Sequence, residues 1–107
     1  MRPINNRKRS QKSENTAAAE IGGRRQIASG ALVGMKGDVK SDTFLLEDKF
    51  TDAASYSLKL DLLKKAEQEA FQSRRKPLFR VTMQGHTYYV VPVRVFTYLL
   101  NEHHESE

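Results

Sequence analysis

Cysteine is absent from the chain, which excludes disulfides and any thiolate-held zinc site and removes a usual signature of small secreted domains. No apolar run comes near the roughly 20 residues that cross a bilayer. The N-terminus lacks the apolar stretch of a signal peptide, and no internal repeat is visible. A soluble, cytoplasmic protein is therefore expected. Its 107 residues supply one core and leave little for a second module, so a homodimer is expected to help.

What the chain does have is positive charge, unevenly spread. The net charge is +5; residues 1–36 hold eight Lys/Arg against two acids, a net of +6, and the remainder is slightly acidic. That asymmetry suits an arm or face that meets a polyanion while acids elsewhere serve another purpose, and nucleic acid is the natural partner.

Segment by segment, residues 1–12 are polar and basic without apolar period and read as a flexible arm. A short alanine-rich helix is expected to open at Ser10 or Ser13 and to stop at Gly22-Gly23, followed by a brief extended segment over 24–30 and a turn-rich connection over 34–41. A strand is expected over 43–49, a loop over 51–56 and a helix over about 58–72, with Leu60, Leu63, Ala66 and Ala70 as its apolar stripe. Residues 73–77 break that helix. A strand over 78–83, a hairpin at Gln84-Gly85-His86, a strand over 87–91 and a final amphipathic helix over 93–100 complete the core. Residues 13–100 thus read as a single domain of α/β class, a mixed central sheet flanked by helices, with 101–107 a polar C-terminal tail.

Chemistry is concentrated in Gly37-Asp38-Val39 and in the strand Thr43-Phe44-Leu45-Leu46-Glu47-Asp48-Lys49. Strand side chains alternate faces, so Glu47 and Lys49 share one, and a turn before the strand brings Asp38 towards them. Buried strands keep charges only where these are paired or metal-bound. Two carboxylates and an ammonium converging in this way suit Mg2+, which takes one or two carboxylates and completes its shell with water and substrate phosphate. Mn2+ would be a substitute.

With these residues in view, the chain resembles the PD-(D/E)xK nucleases, and among them the small Holliday-junction-resolvase-like endonucleases of archaea and phages. The resemblance covers residues 10–92 and rests on Ser10-Gln11-Lys12-Ser13-Glu14, Gly22-Gly23-Arg24, Ala28-Ser29-Gly30, Lys36-Gly37-Asp38-Val39, Glu47-Asp48-Lys49, and Thr51 with Ser55. Gly37 stands where the motif has proline. The resemblance implies a restriction-endonuclease-like core and a phage or prokaryotic host cell. It implies Asp38, Glu47, Asp48 and Glu14 as candidate metal ligands, with Lys49 supporting the water nucleophile and Ser29 near the scissile phosphate. Glu14 and Glu20 both remain open as the helix acid.

Arg7, Lys8, Arg9, Lys12, Arg24, Arg25, Lys36, Ser55 and Lys59 are the candidate nucleic-acid contacts. Ser55 or Ser57 could equally cap the following helix, and Tyr56 could simply fill the core. Arg74-Arg75-Lys76 read as a helix-end cluster, His103 and His104 as polar tail, and Tyr88, Tyr89, Phe79 and Phe96 as core or dimer surface. The expected activity is a Mg2+-dependent DNA endonuclease acting on branched DNA in recombination. The rival expectation is a noncatalytic nucleic-acid-binding module on a nuclease-like scaffold.

Overall fold

The computed structural model describes residues 6–25 and 38–106. Its elements are helix α1 (Asn6–Ile21), strands β1 (Arg24–Arg25), β2 (Val39–Lys40) and β3 (Phe44–Thr51), helix α2 (Leu60–Gln72), strands β4 (Lys76–Met83) and β5 (His86–Val90), and helix α3 (Val93–Ser106). The strands form one mixed open sheet in the order β1-β2-β3-β4-β5. β3 and β4 are parallel neighbours joined through α2, and all other neighbours are antiparallel. The chain is therefore α/β, as the alternation of segment types indicates.

Period-2 patterning sets the two faces of the sheet. Leu46 and Leu78 are register partners and pack with Ala17 of α1, Val39 of β2 and Val95 of α3 into a buried cluster on one face. The opposite face receives α2 through Ala66 and Ala70, both buried. Tyr56 lies against Phe79, with ring centroids 6.3 Å apart, so it is a packing residue in the connection before α2. That helix opens at Lys59 without a side-chain cap, and neither Ser55 nor Ser57 serves as one.

α1 begins at Asn6, earlier than the apolar pattern indicates, so residues 6–12 are helical and not an extended arm. The reason is that this part is held by charge. Arg9 makes a fork of hydrogen bonds to Asp52 and stacks its guanidinium 4.8 Å from the Phe50 ring centroid, contacts that no hydrophobic stripe announces. The end is as expected. Gly22 takes φ +66° and the Gly23 N–H donates to the Ala18 carbonyl at 2.8 Å, the six-to-one bond of a Schellman stop. α3 likewise runs through Ser106, since the polar residues from Asn101 onward contain no breaker and continue the helix on its solvent side. The β4–β5 hairpin turns on Gln84 (φ +49°) and Gly85 (φ +83°), two consecutive left-handed residues that match strand twist.

Gly23 also marks a close approach: a Cβ there would lie 2.7 Å from the Lys40 carbonyl oxygen. Gly23→Ala is expected to push β2 away from the end of α1 and to cost about 2 kcal/mol in a urea melt, whereas an alanine at the open site Gly85 should cost less than that.

Candidate functional site

The geometry of the site follows from where β2 stops. Val39 pairs with Leu46 and Lys40 with Leu45, so the same antiparallel register carried one residue back sets Asp38 opposite Glu47. The Asp38 N–H donates to the Leu46 carbonyl at 2.8 Å. Beyond that point the edge of β3 loses its β2 partner, and the Asp48 N–H donates at 2.7 Å to Asp38 Oδ2. The Asp38 carboxylate thus replaces a ladder carbonyl and is fixed against the strand that carries Glu47 and Lys49.

Ser10 and Glu14 of α1 reach the same edge, and together with Asp38, Asp48, Lys49 and Phe50 they line a cleft of about 280 Å³. Its electrostatics are those of crowded acids. Burial first, and then the Asp38 charge, push Glu47 up to about 7, partly offset by Lys49. Burial also raises Asp38, against the hydrogen bond from the Asp48 N–H, the Lys49 charge and a hydrogen bond shared with Glu47. Glu14 is raised by burial and by Asp38, with Arg25 at 4.0 Å pulling the other way. Asp38 and Lys49 thus act on both Glu47 and Glu14, while Glu47 also feels Glu69 and Lys65 of α2.

Asp48 is different from its neighbours. It points to the α1 face, where Arg80 Nη1 donates to its Oδ1 at 2.9 Å. The Arg80 guanidinium, 4% exposed, also donates to Glu20 at 2.9 and 3.2 Å and to Ser13 Oγ at 3.1 Å, and the Tyr89 hydroxyl donates to Glu20. Hydrogen bonds from Arg80 and Tyr89 hold Glu20 below the usual carboxylate range. Of the two helix acids, Glu14 lines the cleft and Glu20 is engaged behind it. Asp48 contributes its N–H to the cleft while its carboxylate is spent on Arg80.

Among the nucleic-acid candidates, Lys8, Arg9 and Lys12 lie along α1, Arg24 and Arg25 on β1, and Ser55 and Lys59 are exposed before α2. Ser29 and Lys36 lie outside the described residues, as does the side chain of Arg7. Arg75 donates from Nε to the Ser41 carbonyl and Lys76 sits 4.2 Å from the Tyr98 ring centroid, so that part of the 74–76 cluster braces the fold. The sequence pattern does not single out Arg80, and it places Ser10 at the helix start and Tyr89 in core or dimer surface. The available signal for Arg80 was a lone cation inside Leu78-Phe79-Arg80-Val81, the same argument that singled out Glu47.

Among the described residues, no group of three or more His, Cys, Asp or Glu side chains is arranged to hold a metal ion. Asp38 with Glu47 is a two-carboxylate set with an open side. That donor chemistry fits Mg2+, which retains waters and needs no all-protein cage. Compared with family models, with curated proteins and with solved structures, the chain matches none.

Two outcomes follow from this electrostatic arrangement. Glu47 is raised in the fold, so the folded state holds its proton more tightly, and stability should fall as pH rises from the ordinary 4.5 to about 7. Glu20 acts with the opposite sign, its contribution being lost only as pH drops below its ordinary 4.5. Glu47→Gln should flatten the upper window and, allowing for solvent screening, raise stability at about pH 8 by roughly 1–2 kcal/mol in chemical melts. Arg80→Leu should cost about 3–5 kcal/mol by leaving Asp48 buried and unpaired, and adding Asp48→Leu should recover a large part of it.

Proposed function

We propose that the chain is a metal-dependent DNA endonuclease that hydrolyses phosphodiester bonds, selective for branched DNA of the Holliday-junction type. The single observation that carries this reading is the register that sets Asp38 opposite Glu47, with Lys49 two residues on from Glu47 and Glu14 lining a cleft with Asp38 and Lys49. The chain order supports it too: a helix, three antiparallel strands, a crossover helix and a parallel fourth strand agree with a restriction-endonuclease-like core.

Asp38 and Glu47 would hold the divalent ion, Mg2+ or Mn2+ in its stead, with Glu14 at the cleft wall. When bound, the ion supplies neutralisation of phosphate charge and a more acidic water. Lys49 places its ammonium where it lowers both Asp38 and Glu47, the position from which it can orient a water towards phosphorus and balance charge on the phosphoryl oxygens. The Ser10 hydroxyl faces the same cleft and can donate to a phosphate oxygen. Ser29 is retained as a further candidate. A two-fold homodimer would offer paired cleavage sites across a junction, and the exposed Phe96, Leu99 and Leu100 of α3 give it an apolar surface to use.

One observation favours a second reading, a noncatalytic nucleic-acid-binding module: the described acids do not by themselves assemble three metal-ligating side chains. Cleavage of a four-way junction, a flap, a nicked duplex and a linear duplex, with Mg2+ and with chelator, separates the two. The endonuclease reading expects Mg2+-dependent cutting, fastest on the junction, and a fall of at least ~10²-fold for Asp38→Asn, Glu47→Gln and Lys49→Ala with DNA binding retained. Robust cutting by all three variants, or none by the parent protein with either Mg2+ or Mn2+, would remove it.

A further inference from the structure

At about 100° per residue, α1 divides into four rows. Arg9, Ser13, Ala17 and Glu20 face the sheet: Arg9 reaches Asp52, Ser13 and Glu20 receive Arg80, and Ala17 is fully buried. Ser10 and Glu14 form one flank, towards the acid cleft. Lys8, Lys12 and Thr16 form the other flank, roughly 160–200° around the helix from the first. They open on a groove of about 670 Å³ whose far wall is the β4–β5 hairpin, with Thr82, Gly85 and Thr87. The outward ridge carries Gln11, Asn15 and Ala19, exposed and uncharged, and Lys8 and Lys12 border it directly.

The second groove is built for a polyanion. Asp52 is its one lining acid and is neutralised by Arg9, while among the described residues neither Lys8 nor Lys12 has an ion-pair partner. Thr82 and Thr87 share one hydrogen bond of 2.8 Å between two hydroxyls, which leaves one O–H free to donate. Thr51 Oγ1 accepts from the Ala53 N–H and keeps its own hydrogen for another acceptor. Gly85 leaves the rim clear, since nothing lies within 4 Å of where a Cβ would be.

An acid cleft and a cationic groove thus lie on opposite sides of one helix. An α-helix with side chains is ~10–12 Å across, and the DNA major groove is ~12 Å wide with a phosphate backbone along each margin. We infer that α1 enters the major groove of duplex DNA, its neutral amide ridge facing the base edges. The groove of Lys8, Lys12, Thr82 and Thr87 then holds phosphates of the strand opposite the one at the acid cleft. This rests on the endonuclease reading only in naming which strand is cut. It assigns Thr82, Gly85 and Thr87 to nucleic-acid contact and leaves Arg74 out of the track.

The test is duplex binding in chelator, read by fluorescence anisotropy across a salt series, so that cleavage plays no part. Each phosphate contact contributes about 0.9 to the slope of log K against log salt. Lys8→Gln/Lys12→Gln is expected to lower that slope by about 1.8 and to weaken binding roughly tenfold or more. Thr87→Lys, on the opposite wall, should raise it by about 0.9, a gain that misfolding would not produce. Lys40→Gln/Lys64→Gln carries the same charge change elsewhere and should leave the slope near that of the parent. Methyl green, a major-groove ligand, should compete for the duplex and netropsin, a minor-groove ligand, should not. An unchanged slope in the Lys8/Lys12 variant, competition by netropsin alone, or no duplex binding by the parent protein would overturn the inference. Binding that behaves as expected in a protein that never cuts DNA would remove the endonuclease reading and leave this one standing.

Discussion

A guanidinium that is 4% exposed must find partners for its donors or the fold cannot keep it, and Arg80 finds them on two sides at once. Asp48 belongs to the neighbouring strand, Glu20 and Ser13 to the helix above it. Satisfying Arg80 therefore fixes the position of α1 over the sheet and the face to which β3 turns its even-numbered side chains. Once Asp48 is committed to the α1 face, the two-residue period commits Glu47 and Lys49 to the other. The Asp48 backbone, held in this register, presents the N–H that anchors Asp38. Burial would lower the Arg80 pKa, yet its hydrogen bonds to Glu20 and Asp48 outweigh that and raise it, so the clamp stays charged at any pH the fold survives.

Behind the clamp both carboxylates are hydrogen-bonded to Arg80, and in front of it the acids have no such partner among the described residues. Asp38, Glu47 and Glu14 are all raised, first by burial and then by neighbouring acid charge that the cations only partly offset. This arrangement lowers stability near neutral pH. Lys49 offsets part of it without closing the cleft, since the pocket it lines remains open to solvent.

Much of this was legible in the sequence, and what escaped has a common cause. β3, α2, the Gln84-Gly85 turn and the Gly22-Gly23 stop were readable because apolar period and backbone-permissive residues report on them directly. The convergence of Asp38, Glu47 and Lys49 was readable from strand alternation plus one turn. The start of α1 escaped because Arg9 docks through Asp52 and Phe50, and the reach of α3 escaped because polar helix on a solvent face has no period to detect. Asp48 read as a fourth metal ligand from its place in the Glu-Asp-Lys triplet. Its partner, Arg80, is 32 residues away in sequence, and only pairing of β3 with β4 brings the two into register. Charged pairs of this kind leave no local pattern, so a lone cation in an apolar strand is the one hint that a buried carboxylate elsewhere is already taken.

The same logic explains why the net positive charge sits where it does. Under the proposed endonuclease reading, acids crowded at the edge of β3 would repel the nucleic acid that a chain of net charge +5 would have to bring to them. Spreading the cations evenly would place them against the acids and neutralise the cleft. Lys8 and Lys12 line a groove that Glu14 does not, so on that reading long-range attraction would survive while the acid cluster keeps its raised proton affinity. α1 is thus the element that separates the two fields, and the Arg80 clamp that seats it on the sheet determines how far apart they stand.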